Sequence, residues 1–498
     1  MELFEHLLFG FGVALSLQNL LYCFLGVLVG TLIGVLPGIG PLATIAMLLP
    51  LTYNVSPVAA LIMLAGIYYG AQYGGSTTAI LVNLPGETSA VVTCIDGYQM
   101  ARQGRAGPAL AIAAIGSFFA GTVCTVLIAL FGPPLAEVAL KFAAADYFSL
   151  MLMGLVAAAV LARGDMVKSL AMVAMGLLLG IVGTDVNTGL KRFTFGINEL
   201  TDGIGFVVVA VGVFAVGEIV TNLGDPAERR IFTSRVTGLF PTREDLRRSF
   251  WPIVRGTGLG AFFGVLPGTG PAIASFSSYM LEKKLARDPS RFGRGAIEGV
   301  AGPESANNAD AQCKFIPMLT LGLPASGVMA LMLGALTIHG ITPGPQVMTQ
   351  KPDLFWGLVA SMWIGNLMLV VLNLPLIGLW VSLLRVPYRL LFPAIVVFSV
   401  IGVYSVNNSA FEVYLAALFG VIGFVWMKLG LSLAPMLLGF VLGPMLEENL
   451  RRAMVVSRGD PSVFLARPIS LGFLAVTVLI LVVAAAPAVR RRRATIAG

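Results

Sequence analysis

Two groups of small polar side chains interrupt an otherwise apolar chain. Ser76, Thr77, Thr78, Asn83, Thr88 and Ser89 make the first; Ser305, Asn307, Asn308 and Ser326 make the second. Hydroxyls, carboxamides and peptide N–H groups at helix starts suit an anion, because a helix N-terminus carries partial positive charge. Freed carbonyls at helix ends suit a hard cation such as Na⁺, which takes oxygen ligands. Three acids lie beside the same groups, Glu87, Glu304 and Asp310, where each could bind a cation or relay a proton. Lys314, one helical turn beyond Asp310, could offset a ligand's carboxylate or pair with Asp310 itself. Asp185, Glu218 and Glu412 read as interfacial charges near helix ends. For any one small polar residue, packing between helices is the plainer account. Their concentration beside two corresponding places in the chain is what favours a binding site.

Those places are marked by two octapeptides, Gly34-Val35-Leu36-Pro37-Gly38-Ile39-Gly40-Pro41 and Gly264-Val265-Leu266-Pro267-Gly268-Thr269-Gly270-Pro271. They differ at one position. Each follows a long apolar run. Proline removes a backbone donor and blocks the preceding helical turn, while glycine admits backbone angles closed to other residues, so Pro-Gly-x-Gly-Pro stops a helix abruptly. In lipid the freed peptide groups are tolerable only where protein or a water-filled cavity satisfies them. One such cluster is usually a kink; a near-copy in a second half points to a duplicated architecture with a transporter's binding site at the breaks. Gly38, Gly40, Gly268, Thr269 and Gly270 therefore join the hydroxyl and amide residues as candidate ligands of a substrate. Basic loops flank residues 251–281 on both sides, which predicts a re-entrant hairpin with the octapeptide at its tip. Thr269 places a hydroxyl where the first copy has Ile39, so the two hairpins need not do equal work.

The elements that must position these groups are membrane helices. Of 498 residues 57% are hydrophobic and 11% charged, and the mean hydropathy is +0.89; a soluble protein of this size needs far more charge on its surface. By length alone, roughly 11–13 segments are apolar enough to cross a bilayer, some of them interrupted. The fold class is an all-α polytopic membrane protein with two structural repeats, expected to be inverted, each with broken helices or re-entrant hairpins. A first repeat spans 1–222, a polar connector rich in arginine 223–250, a second repeat 251–463, and a last transmembrane helix with a basic tail 464–498. The net charge of +7 sits in short loops between apolar runs, which the positive-inside rule explains better than a nucleic-acid partner does. It places the connector in the cytoplasm. Asp96, Arg102 and Arg105 are read as a return to water.

Nothing in the sequence carries catalytic chemistry: there is no Ser/His pairing, phosphate loop or acid pair in a cavity motif. The four cysteines are scattered and the two histidines too few for a metal site. No cofactor is expected beyond a coupling ion, Na⁺ or H⁺, and the absence of a nucleotide-binding motif leaves secondary transport as the simplest energy source.

At this point the residues carry a family resemblance. The chain resembles the large membrane subunit of the tripartite tricarboxylate transporters, the TctA-like family, from about Leu20 to about Met454. The marks are the two octapeptides, Tyr69-Gly70-Ala71-Gln72-Tyr73-Gly74-Gly75-Ser76, Asn83-Leu84-Pro85-Gly86-Glu87, Asp96-Gly97-Tyr98, Glu298-Gly299-Val300-Ala301, Glu304-Ser305-Ala306-Asn307-Asn308-Ala309 and Leu321-Gly322-Leu323-Pro324. The resemblance implies a multi-pass permease of the bacterial inner membrane with two partners, a small membrane subunit of about four helices and a periplasmic solute-binding protein. It implies ion-driven uptake of di- and tricarboxylates or related organic acids. On this reading the substrate sits between the hairpins and moves by alternating access, with an elevator suggested by analogy alone. An anion channel and a carrier of some other solute are the alternatives.

Overall fold

The computed structural model describes residues 2–36, 40–83, 85–162, 165–185, 188–217, 220, 238–383 and 388–496. Pro37, Gly38, Ile39, Glu218 and most of the expected connector fall outside them. The chain is an all-α polytopic membrane protein, with one two-residue-per-strand antiparallel ladder, Gly183–Thr184 against Lys191–Arg192.

Helices α1 (Glu2–Ala14) and α2 (Leu17–Val35) lead to the first octapeptide, followed by α3 (Pro41–Leu48), a short 3₁₀ stretch and α4 (Pro57–Val82). Then come α5 (Val91–Arg102), α6 (Ala106–Ala139), α7 (Ala144–Leu161), α8 (Met166–Gly180) and α9 (Phe206–Ala210), which runs into a π-helical turn. The second half opens with α10 (Arg243–Val265), the second octapeptide and α11 (Pro271–Leu285), then α12 (Glu298–Cys313), α13 (Phe315–Leu321) and α14 (Gly327–Ile338). The remaining helices are α15 (Gln346–Gln350), α16 (Pro352–Asn373), α17 (Ile377–Leu383), α18 (Tyr388–Asn407), α19 (Ala410–Lys428), α20 (Leu433–Val456), α21 (Val463–Ala466) and α22 (Pro468–Ile496).

Six of the described helices are long and apolar enough to cross a membrane: α2, α6, α7, α16, α19 and the Pro468–Ala486 part of α22. Both groups of small polar residues lie largely on continuous helix. Gly70–Thr78 lies inside α4 and Gly302–Asp310 inside α12, with no interruption in either. Protein on every side lets these helices carry polar residues that a lipid-facing helix does not tolerate.

The two halves share one packing device. A methyl group added to Gly26, Gly30 or Gly34 of α2 would strike the carbonyl oxygens of Met63, Ile67 and Ala71 on α4. One added to Gly256, Gly260 or Gly264 of α10 would strike those of Gly302, Ala306 and Asp310 on α12. Glycine every fourth residue lets two backbones approach closely, as in membrane helix pairs generally. In both pairs the contacts advance in the same direction, so α2 runs parallel to α4 and α10 parallel to α12. Each octapeptide must therefore be followed by a return arm. In the second half Arg255 of α10 grips Glu282 of α11 with two bonds, 2.7 and 2.6 Å. These residues flank the octapeptide at nearly equal distances, so α10 and α11 form the expected hairpin.

The two units cross in opposite senses. Ser76 on α4 bonds Glu304 on α12, while Tyr68, two turns earlier on α4, lies beside Ser326, beyond the end of α12. A buried acid then ties α5 to the second unit. Asp96 Oδ1 accepts from the backbone N–H groups of Gly293, Gly295 and Ala296 at 2.9, 2.8 and 2.8 Å. Its Oδ2 takes the Tyr279 hydroxyl at 2.9 Å. Asp96 is fully buried, facing the loop of the second unit rather than water at this end of α5. Asp96→Ala should cost ~3 kcal/mol or more by orphaning those donors, read as a lower thermal unfolding temperature in detergent.

Candidate functional site

The end of α2 at the first octapeptide and the tip of the second hairpin are met by the two places where the core helices stop. After α4 the chain turns at Asn83, in the left-handed region at φ 56. It folds back until Gly86 lies on the Gly34 carbonyl and the Gly75 Cα, with no room for a side chain. After α13 it turns at Gly322, φ 70, and Ser326 caps α14 by accepting from the Met329 N–H at 3.3 Å. There the Gly268 N–H donates to the Ala325 carbonyl at 3.0 Å. Gly268 itself has φ 80 and presses on the α7 backbone at Ala157 and Ala158, so only glycine fits this tip.

Between these breaks lies a cavity of about 210 Å³, lined among others by Thr88, Gly268, Thr269, Gly270 and Ser326. It gathers one break of the first unit with the hairpin tip and break of the second. Leu42, just past Gly40 at the start of α3, lies where a side chain at Gly327 would be. The return arm of the first hairpin is thus next to the same place, though Gly38 is outside the described residues. Thr269 spends its hydroxyl on its own turn, donating to the carbonyls of Phe263 and Leu266 at 2.5 and 2.8 Å. It braces the tip. Thr88 is exposed to the cavity, and Asn83, also exposed, caps α4 without lining it.

A second, wider cleft of about 730 Å³ lies toward the other end of α7, with Tyr147, Leu321, Gln346, Asn449 and Arg452 in its walls. Tyr147 stands near the start of α7 and Leu161, in the narrower cavity, at its end. The broken segment thus contributes Leu321 to one cavity and Ala325 and Ser326 to the other.

Behind the breaks is a buried polar network. Glu304 accepts from Ser76 at 2.5 Å and from Thr93. Glu87 accepts from Ser89 and from Asn307 Nδ2, the latter at 3.4 Å. Asn308 Nδ2 reaches Ser117 at 2.7 Å and the Glu304 carbonyl at 3.1 Å. Asp310 and Lys314 form an ion pair, both fully buried. Thr77 lies beside Ser76 on α4, while Thr78 and Ser305 turn their hydroxyls to carbonyls of their own helices, at 3.0 and 2.8 Å. Three buried oxygens of α12 have no hydrogen-bond donor among the described residues: Asn307 Oδ1, Asn308 Oδ1 and Asp310 Oδ1. Of these residues Asn307 adjoins the Glu87 carboxylate, and amide and carboxylate oxygens are the kind of ligand a hard cation takes.

Thr93, Gln72, Tyr68 and Ser117 complete this network and were not singled out from the sequence. Thr93 and Asp96, a helical turn apart on α5, mark one polar face of that helix, which was the available signal. Cys23, Cys124 and Cys313 are buried, and all four cysteines are free.

The family model described as "Tripartite tricarboxylate transporter TctA family" matches residues 20–438. A protein of Agrobacterium vitis, described as an uncharacterized 52.8 kDa protein in the TAR-I ttuC' 3' region, is 60% identical over 493 residues, 99% of this chain and 98% of that one. A second from the same organism, in the TAR-II ttuC' 3' region, is 59% identical over 234 residues, 47% of this chain and 97% of its own length. No solved structure matches.

Proposed function

Because this chain belongs to the tripartite tricarboxylate transporter TctA family, we propose that it is the permease that takes up di- or tricarboxylates, or related organic acids, by ion-coupled alternating access. The solute is not altered chemically. A periplasmic binding protein delivers it and a small membrane subunit accompanies the permease, in the bacterial inner membrane. One observation carries the reading: Thr88 of the first unit, the Gly268–Gly270 tip and Ser326 face one cavity at the breaks. Peptide N–H groups and hydroxyls there suit carboxylate oxygens without burying a fixed positive charge. The opposed crossing of α4 and α12 supports inverted repeats.

The coupling cation is assigned to the unpartnered oxygens of Asn307 and Asp310 near Glu87, with Glu304 holding α4 and α5 to α12. A carboxylate and its driving ion then sit on two sides of the same broken segments, so occupancy of one favours the other. The positive-inside rule puts the arginine-rich ends of α5, α10 and α11 in the cytoplasm. The narrower cavity then faces inward and the wider cleft outward.

The test is uptake into proteoliposomes holding the complete three-component system, with a sodium or a proton gradient imposed in turn. Concentrative, gradient-dependent uptake that requires the binding protein is expected; conduction without coupling would overturn the proposal. Thr88→Val is the sharpest variant, because the Thr88 hydroxyl makes no hydrogen bond among the described residues. It should raise the KM for uptake about threefold to tenfold, the worth of one hydrogen bond, and leave the unfolding temperature unchanged.

A further inference from the structure

Away from the breaks, four arginines line one cleft of about 390 Å³: Arg105, Arg248, Arg291 and Arg294, together with Asp288 and Ser290. The acids that pair with them sit behind. Asp245 and Glu298 have side chains only 5% and 14% exposed, while those of Arg105, Arg248 and Arg291 are 40%, 33% and 36% exposed. In each pair the carboxylate is the buried member and the guanidinium the more exposed one. Arg105 and Arg291 each spend only Nη2 on an acid, and Arg248 spends Nε and Nη2. Arg294 is exposed and bonds to no acid among the described residues. The acid in the lining, Asp288, turns Oδ1 to the Ser290 N–H and hydroxyl at 3.0 and 2.6 Å. The cleft is therefore lined by guanidinium groups with N–H donors not spent on an acid, a fork geometry that matches phosphate oxygens.

Its depth in the membrane follows from the outer face of α10. That face begins with Arg243, Glu244 and Arg247, passes through exposed Phe250 and Trp251, and continues with Gly258, Phe262 and Val265. Charge, then aromatic rings, then apolar surface is the order met on passing from water through the headgroup layer into hydrocarbon. Arg248 adjoins the aromatic step. A soluble anion would meet this cleft only at the headgroup layer, where lipid phosphate is already concentrated.

We propose that this cleft binds the phosphate headgroup of an anionic phospholipid, clamping the α5–α6 turn to the start of α12. The assignment is independent of what the permease carries. The experiment reconstitutes the full chain in nanodiscs holding equal amounts of phosphatidylglycerol and phosphatidylcholine, and counts retained lipids by native mass spectrometry. The wild type should retain phosphatidylglycerol in preference. Arg294→Gln should reduce that retention about fivefold, the worth of one arginine at a membrane surface, with phosphatidylcholine unaffected and Arg294→Lys near wild type. Equal retention by wild type and Arg294→Gln would overturn the proposal, as would no preference between the lipids. Complete displacement of the lipid by millimolar glycerol phosphate would assign the cleft to a soluble anion instead and overturn it too. Arg294 bears no structural bond from its side chain among the described residues, and a monodisperse elution profile confirms that the variant folds.

Discussion

Lys314→Met should destabilise the protein by about 3–5 kcal/mol, the usual cost of leaving one member of a buried ion pair without its partner. Lys314 and Asp310 both have fully buried side chains, and the second carboxylate oxygen of Asp310 has no donor among the described residues. Methionine fills the space of the lysine stem but leaves Asp310 charged and unanswered in a medium of low polarity. The double variant Lys314→Met/Asp310→Asn removes both charges, and it should recover most of the lost stability, because replacing a whole buried pair is often close to neutral. The two measurements separate structure from transport. If Asp310 also holds the coupling ion, the double variant unfolds near the wild-type temperature yet fails to concentrate solute under either gradient. Concentrative uptake by a well-folded double variant would remove Asp310 from the coupling site. Lys314 itself is committed to Asp310, so a direct role in holding the substrate's carboxylate has no support in the geometry.

The second large effect is expected at Gly260. A methyl group there lands on the Ala306 carbonyl oxygen and beside the Ala306 and Ala309 atoms of α12. Backbone cannot move aside as a side chain does, so Gly260→Ala forces α10 away from α12 and should cost about 2–3 kcal/mol through overpacking. Gly258, on the other face of the same helix, has nothing within 4 Å of the same methyl. Gly258→Ala should be neutral, or stabilising by up to ~1 kcal/mol from helix propensity alone. Thermal unfolding of the two variants in detergent checks the contrast. Equal behaviour would mean that the close approach of α10 and α12 does not hold the second unit together. The first unit provides a parallel case: Gly30→Ala should behave as Gly260→Ala does, since its methyl falls on the Ile67 carbonyl.

Composition by itself determined the class of this protein. A chain 57% hydrophobic and 11% charged cannot clothe itself for water. Repetition of Pro-Gly-x-Gly-Pro determined where two helices stop, because proline and glycine act on the backbone within a turn or two. The hairpin on residues 251–281 was also legible, since basic loops on both sides left it one face to enter and leave by, and the Arg255–Glu282 bonds bear it out.

What the tertiary structure decided is which faces meet. Nothing local in Gly70–Thr78 distinguishes a polar break from an unbroken helix sheathed in protein; both are written with glycine, serine and threonine. Nothing near Asp96 announces that three amides roughly 200 residues further along the chain will close around it. The bond between Ser76 and Glu304 likewise depends on two helices crossing in opposite senses. The glycine contacts fix α2 against α4 and α10 against α12 within each half, and how one half crosses the other cannot be read from either segment alone. Turns and stops are local properties of a chain, whereas the partner of a buried polar group is chosen by the packing of the whole.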